Sequence, residues 1–185
     1  MEIFGWVIVA IIVGIPLWGV ALYNRLVNLR NQVKNAWRQI DVQLKRRHDL
    51  IPNLVEAVKD YMSYEQETLE KVIQARNQAV SASSPEDAIT AEGILGGVMG
   101  KLFALMENYP DLKANETVAR LMEELSTTEN QISFSRQFYN DSVMSLNNAI
   151  ETFPSNIVAG MFGFKTATYF EVPETETAVP AVNLR

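Results

Sequence analysis

The sequence predicts an all-α protein, with one N-terminal transmembrane helix continuing into an antiparallel four-helix bundle. Three observations predict it. Residues 3–23 carry no charge, and a helix of that length reaches about 31 Å, the hydrocarbon thickness of a bilayer. The remainder repeats its apolar side chains at spacings of three and four, the period of a helix. No stretch alternates apolar and polar residues for long enough to make a strand. The 185 residues suit one domain, and 48% apolar with 21% charged residues excludes disorder throughout. The absence of cysteine excludes disulfide scaffolds and thiolate metal sites, and a single histidine, His48, excludes histidine-rich ones. A net charge of −6 speaks against nucleic acid as a partner.

The first element is the anchor, residues 1–24. A cleaved signal peptide opens on basic residues and has a shorter apolar core, whereas this chain opens Met1-Glu2. A buried core helix is excluded because the span is apolar on every face. Trp6, Trp18 and Tyr23 lie toward the ends of the span, at the depth amphipathic rings prefer. Pro16 is tolerated there better than in a soluble helix. Arg25, Arg30, Lys34, Arg38, Lys45, Arg46 and Arg47 follow, against one acid, Asp41. Positive charge holds its side of a span in the cytoplasm. The expected topology is single-pass, N-terminus outside, with a cytoplasmic bundle over residues 25–153.

Helix one carries Leu26, Leu29, Val33, Ala36 and Ile40 on one stripe. It is expected to end near Arg47-His48-Asp49, with Asp49 as N-cap and Pro52 in the first turn of a new helix. The alternative is one long helix kinked at Pro52. Helix two is expected over 50–81, on a stripe of Ile51, Leu54, Val55, Val58, Met62, Leu69, Val72 and Ile73. Ser81-Ala82-Ser83-Ser84-Pro85 then breaks the chain. Ser84 as N-cap, Pro85 at the first position and Asp87 at the third announce helix three, over about 85–108. Tyr109-Pro110-Asp111 ends it. Helix four begins between 112 and 116 and runs to Phe153-Pro154. Short loops make neighbours antiparallel, so helix four returns to the membrane side.

Three features could carry function. Glu65 and Arg76 on helix two, and Glu129 and Arg136 on helix four, fall on apolar stripes. They suit an interhelical ion-pair network that fixes register. Acid–base work by these carboxylates is the alternative. Di-iron chemistry is excluded, because it needs two Glu-x-x-His pairs. Gly93, Gly96, Gly97 and Gly100 form two small-xxx-small pairs, suited to close helix contact inside the bundle or between subunits. Residues 154–170 form an apolar membrane-proximal segment. In it, Ile157, Val158, Met161, Phe162 and Phe164 either cap the bundle or meet the membrane interface. Residues 171–185 read as an acidic, flexible tail. His48 reads as a loop residue, solvated or hydrogen-bonded rather than catalytic, and Lys45-Arg46-Arg47 as partners for acids of the bundle.

The strings Arg47-His48-Asp49-Leu50-Ile51-Pro52-Asn53-Leu54, Glu107-Asn108-Tyr109-Pro110-Asp111-Leu112-Lys113-Ala114 and Arg136-Gln137-Phe138-Tyr139-Asn140 resemble the LemA family. Phe153-Pro154-Ser155-Asn156, followed by Gly163-Phe164, does too. The resemblance runs from the anchor to about Phe170. Leu146 departs from it, standing where the family usually has an aromatic. The resemblance implies a bacterial inner-membrane protein with a helical-bundle domain. It carries over no catalytic residue, cofactor or metal. Magnetosome-associated relatives of that family point, by analogy, to membrane organisation. The expected function is a non-enzymatic scaffold or adaptor at the cytoplasmic face. Its expected partners are the lipid bilayer, further copies of itself and an unidentified protein. A membrane-shaping oligomer is the alternative, and a hydrolase using bundle carboxylates a remote one.

Overall fold

The computed structural model describes residues 2–170, and the expected tail over 171–185 lies outside them. The elements run α1 (Glu2–Val58), a 3-10 turn (Ser63–Glu65), α2 (Gln66–Val80), α3 (Pro85–Met106), α4 (Pro110–Ala114), α5 (Glu116–Glu151) and α6 (Ser155–Met161). No strand occurs among the described residues. The chain divides into two compact units: one of residues up to Gln39 with Ser135–Tyr169, the other of Ile40–Phe134 with Phe170.

The expected break at Arg47–Asp49 does not exist. α1 continues through Pro52 to Val58 as one helix of 57 residues. The predicted helix two is therefore divided: Ile51, Leu54, Val55 and Val58 belong to α1, whereas Leu69, Val72 and Ile73 belong to α2. The real break, at residues 59–62, contains neither proline nor glycine. Its backbone leaves the helix at Met62, with φ −110° and ψ 40°. Met62 stays fully buried, four residues after Val58 and seven before Leu69. The apolar stripe thus keeps helical phase across the turn, so periodicity could not reveal it.

In the second unit, four helical stretches surround one core. The last turns of α1 supply Ile51, Leu54 and Val58, and α2 supplies Leu69, Val72, Ala75 and Ala79. α3 supplies Leu95, Met99, Leu102 and Met106, and α5 supplies Val118, Leu121 and Leu125. Leu112 on the one-turn α4 closes the end of the α3–α5 connection within the same core. The start signals act locally. Ser84 Oγ accepts a hydrogen bond from the Asp87 amide, with Pro85 in the first turn of α3. Asn115 Oδ1 accepts from the amides of Thr117 and Val118 at the head of α5.

In the first unit, α1 packs on the C-terminal half of α5. Trp37 meets Tyr139 edge-on at 5.5 Å between ring centroids. Leu26, Ala149 and Ala159 share a small core with Leu29, Ile150, Val158 and Phe164. The segment after α6 turns at Gly163, whose φ of +67° lies in the left-handed region. It then lies along α5 in an extended path. Asn147 holds it by both backbone groups of one residue: its Nδ2 donates to the Ala167 carbonyl at 3.0 Å, and its Oδ1 accepts from the Ala167 amide at 2.9 Å. The Tyr139 hydroxyl donates to the Thr168 carbonyl at 2.9 Å. Before α6, the Phe153–Pro154 peptide is cis.

The N-terminal turns of α1 are long and apolar enough to cross a membrane, and none of their most apolar window is buried. α3 meets the same criterion of length and composition. Its Leu95, Met99, Leu102 and Met106 line the core of the second unit, however, so it reads as a core helix.

Candidate functional site

The polar centre of the second unit is built on Arg47-His48-Asp49, in the middle of a helix rather than in a loop. The stripe Ile40, Leu44, Ile51, Leu54 and Val58 is fully or almost fully buried. Arg47 occupies the core position between Leu44 and Ile51, and is itself 6% exposed. On α3 the stripe of Leu95, Met99, Leu102 and Met106 begins one step earlier with Glu92, which is 2% exposed. An acid and a base placed on facing stripes must pair, because a lone buried charge is expensive.

They do pair. Arg47 Nη1 lies 3.4 Å from Glu92 Oε2 and 3.1 Å from Glu129 Oε2. His48 Nε2 lies 2.5 Å from Glu92 Oε1. Both oxygens of Glu92 are thereby engaged, one by each neighbour in α1. The arrangement ties α1, α3 and α5 at one level.

Arg76 completes the site from α2. Its Nε donates to the His48 carbonyl at 3.0 Å. In an α-helix that carbonyl would accept from the amide of residue 52. Residue 52 is proline and has no amide hydrogen. Arg76 thus satisfies the acceptor that Pro52 leaves open, and its Nη2 lies 4.0 Å from Asp49 Oδ1. A cavity of about 290 Å³ opens beside these groups, lined in part by Lys45, His48, Asp49, Arg76 and Glu92. No group of three His, Cys, Asp or Glu able to hold a metal ion occurs among the described residues.

Membership of this network differs from the sequence expectation. Glu129 and Arg76 are in the cluster, but their partners come from α1. Glu65 sits half-buried in the 3-10 turn rather than in a helix. Arg136 is half-buried on α5, between Ile132 and Tyr139. His48, read as a solvated or hydrogen-bonded loop residue, is hydrogen-bonded to Glu92, but it is buried and lies within a helix. Arg47 and Glu92 are the residues that sequence reasoning missed as a pair. The signal was available in the 4-3-4-3 spacing, which runs straight through both of them.

Two of the four glycines, Gly97 and Gly100, lie elsewhere than tight packing requires. A Cβ on Gly97 or Gly100 would meet nothing within 4 Å. Both are exposed, whereas Gly93 and Gly96 are half-buried. Gly97 and Gly100 therefore make no close helix contact within this chain. They lie instead on an outer face of α3 with Ile94, which is half exposed.

The apolar segment has two sides. Val158 and Phe164 pack inward on the Leu26 cluster. Ile157, Met161 and Phe162 point outward and are exposed. The Phe162 ring nevertheless lies 4.7 Å from that of Tyr23, and the Phe164 ring 5.8 Å from it. This segment thus neither caps the core completely nor hangs free.

Comparison with known proteins agrees with this architecture. The sequence model of the LemA family matches residues 36–184. Protein LemA of Metamycoplasma hominis is 29% identical over 157 residues, covering 83% of this chain and 70% of that protein. Magnetosome protein MamQ 2 of Paramagnetospirillum magneticum is 24% identical over 184 residues, covering 85% and 68%. Magnetosome protein MamQ of Magnetospirillum gryphiswaldense is similar to the same extent.

Proposed function

We propose, from the premise that this chain belongs to the LemA family, that it is a non-enzymatic, membrane-anchored bundle that acts as a scaffold or adaptor at the cytoplasmic face. One observation carries the reading: α1 passes without a break from exposed apolar turns into the core of the bundle. A single helix is both anchor and structural member, which suits a protein that holds others at a membrane. The polar centre supports the same reading. Glu92 is bound on both oxygens by groups of its own chain, as a register-fixing cluster should be. A catalytic carboxylate would instead face its substrate.

Self-assembly is the favoured mode. Gly97, Gly100 and Ile94 make an outer face of α3 on which a second helix can approach closely. The magnetosome names of two relatives agree with a role in organising membranes. The full-length protein in mild detergent should therefore form particles larger than a monomer. Gly97→Leu should reduce their size without lowering the melting temperature, because Gly97 is exposed and a Cβ there meets nothing within 4 Å. An unchanged particle size would remove this face from the assembly. A monomer that gains mass only with lysate would favour the adaptor.

A further inference from the structure

We propose that α6 and its flanking aromatic residues form a second, shallow membrane contact, seated at the headgroup boundary and selective for anionic phospholipid. The argument begins with depth. Tyr23 closes the charge-free span, so its ring belongs at the membrane–water interface. Phe162 lies 4.7 Å from that ring. A headgroup layer is about 5–8 Å thick on each side of the hydrocarbon. Phe162 is therefore fixed at headgroup depth by its contact with Tyr23.

The outward face is built for that place. Ile157 and Met161 are four residues apart and share one side of α6, whereas Ser155 and Ala159 share the other and are buried. Met161 is 76% exposed, Phe162 61% and Ile157 55%, with Phe153 at 79% just before the helix. A cluster of large apolar side chains held open to solvent in a folded unit marks a surface that another phase covers. Position says which phase, because the face begins where the membrane span ends.

Charge supplies the headgroup preference. Arg25, Arg30 and Lys165 are all exposed in the same unit. The Arg30 guanidinium lies 5.2 Å above the Phe164 ring, whose other neighbour is Tyr23. The charged head itself sits over the ring, a cation–π contact that holds a positive charge beside the aromatic residues. Each such base near an anionic surface adds about 1 kcal/mol of attraction.

The chain has no cysteine, so single-site labelling is unambiguous. Full-length protein is reconstituted in vesicles of phosphatidylcholine, alone or mixed with phosphatidylglycerol. An environment-sensitive fluorophore is attached at Met161→Cys, and in a second preparation at Phe153→Cys. Leu17→Cys reports the span, and Tyr64→Cys, 94% exposed, reports water. The Met161 and Phe153 probes should shift to the blue, be quenched by brominated lipid, and resist aqueous iodide. Phosphatidylglycerol should enhance all three effects, and Arg25→Gln with Arg30→Gln should remove the enhancement. Probes at Met161 and Phe153 that behave like the one at Tyr64 would overturn the proposal while leaving the anchor intact. Probes shielded from both quenchers would overturn it in favour of a second copy covering the face. Equal behaviour with and without phosphatidylglycerol would overturn the anionic selectivity. A Leu17 probe unquenched by lipid would overturn the contact and the anchor together.

Discussion

Glu92 and Arg47 show how one residue on a stripe can decide the stability of a bundle. Each is almost wholly buried; Glu92 is shared between Arg47 and His48, and Arg47 between Glu92 and the more exposed Glu129. Removing one partner of a buried pair typically costs about 3–5 kcal/mol, because the survivor stays buried and uncompensated. Glu92→Ala should therefore lower the melting temperature strongly, whereas Glu123→Ala, at an exposed position on α5, should leave it almost unchanged. Glu92→Leu combined with Arg47→Met should recover most of the loss, since apolar groups of similar volume need no pairing. Thermal denaturation of the full-length protein in detergent measures all three. Equal small effects would mean that water reaches this pair. The proline site gives a second prediction. A hydrogen bond to a charged donor is worth about 1.5–3 kcal/mol. Arg76→Leu should cost that much in the native chain, and clearly less when Pro52→Ala restores the backbone donor to the His48 carbonyl. A double-mutant cycle tests the coupling, and additive costs would sever Arg76 from Pro52.

At the scale of elements, the end of α1 decides how the other helices fit. A helix one ending near Asp49 would have only about 24 residues beyond the span, much shorter than the helix that closes the bundle. Because α1 runs on to Val58, its part beyond Tyr23 nearly equals the 36-residue α5 in length. The turn moves from residues 48–49 to 59–62 without changing the number of reversals. α5 therefore still ends beside the first turns after the span, as the contact of Ala149 and Ala159 with Leu26 records. The extended segment after α6 has no helical partner of its own and depends on side chains of α5. Asn147→Leu removes both hydrogen bonds to Ala167 and should loosen that segment. Trypsin should then cut after the exposed Lys165 faster than in the native chain, and the Ala167 amide should exchange sooner. Unchanged cleavage would assign the segment's hold to Tyr139 and the packing of Phe164.

For the whole molecule, charge asymmetry around the span is the feature that bears on orientation. Seven bases and one acid occupy residues 25–47, and no base precedes Tyr23. Such bias favours the cytoplasmic side for a flanking domain, and the proposed orientation follows it. A reporter active only outside the membrane, fused after Arg185, should be silent in cells, and one active only inside should work. The opposite pattern would invert the topology. Replacing Arg25, Arg30, Lys34 and Arg38 by Gln should weaken the preference and yield a mixture of the two signals.

The all-α class, the apolar span, the start of α3 at Ser84-Pro85 and the apolar character of residues 154–170 were determined by the sequence. Each depends on local chemistry: an uncharged run, a side chain that caps its own helix, a period of three and four. The tertiary structure alone decided three other matters. α1 crosses Pro52 because Arg76, distant in sequence, supplies the missing donor. The turn at 59–62 forms where Met62 folds into the core, with no proline or glycine to announce it. His48 is buried because Glu92 from α3 arrives opposite it. In each case the deciding partner belongs to another helix, and the free energy of a buried polar group depends on whether that partner is present.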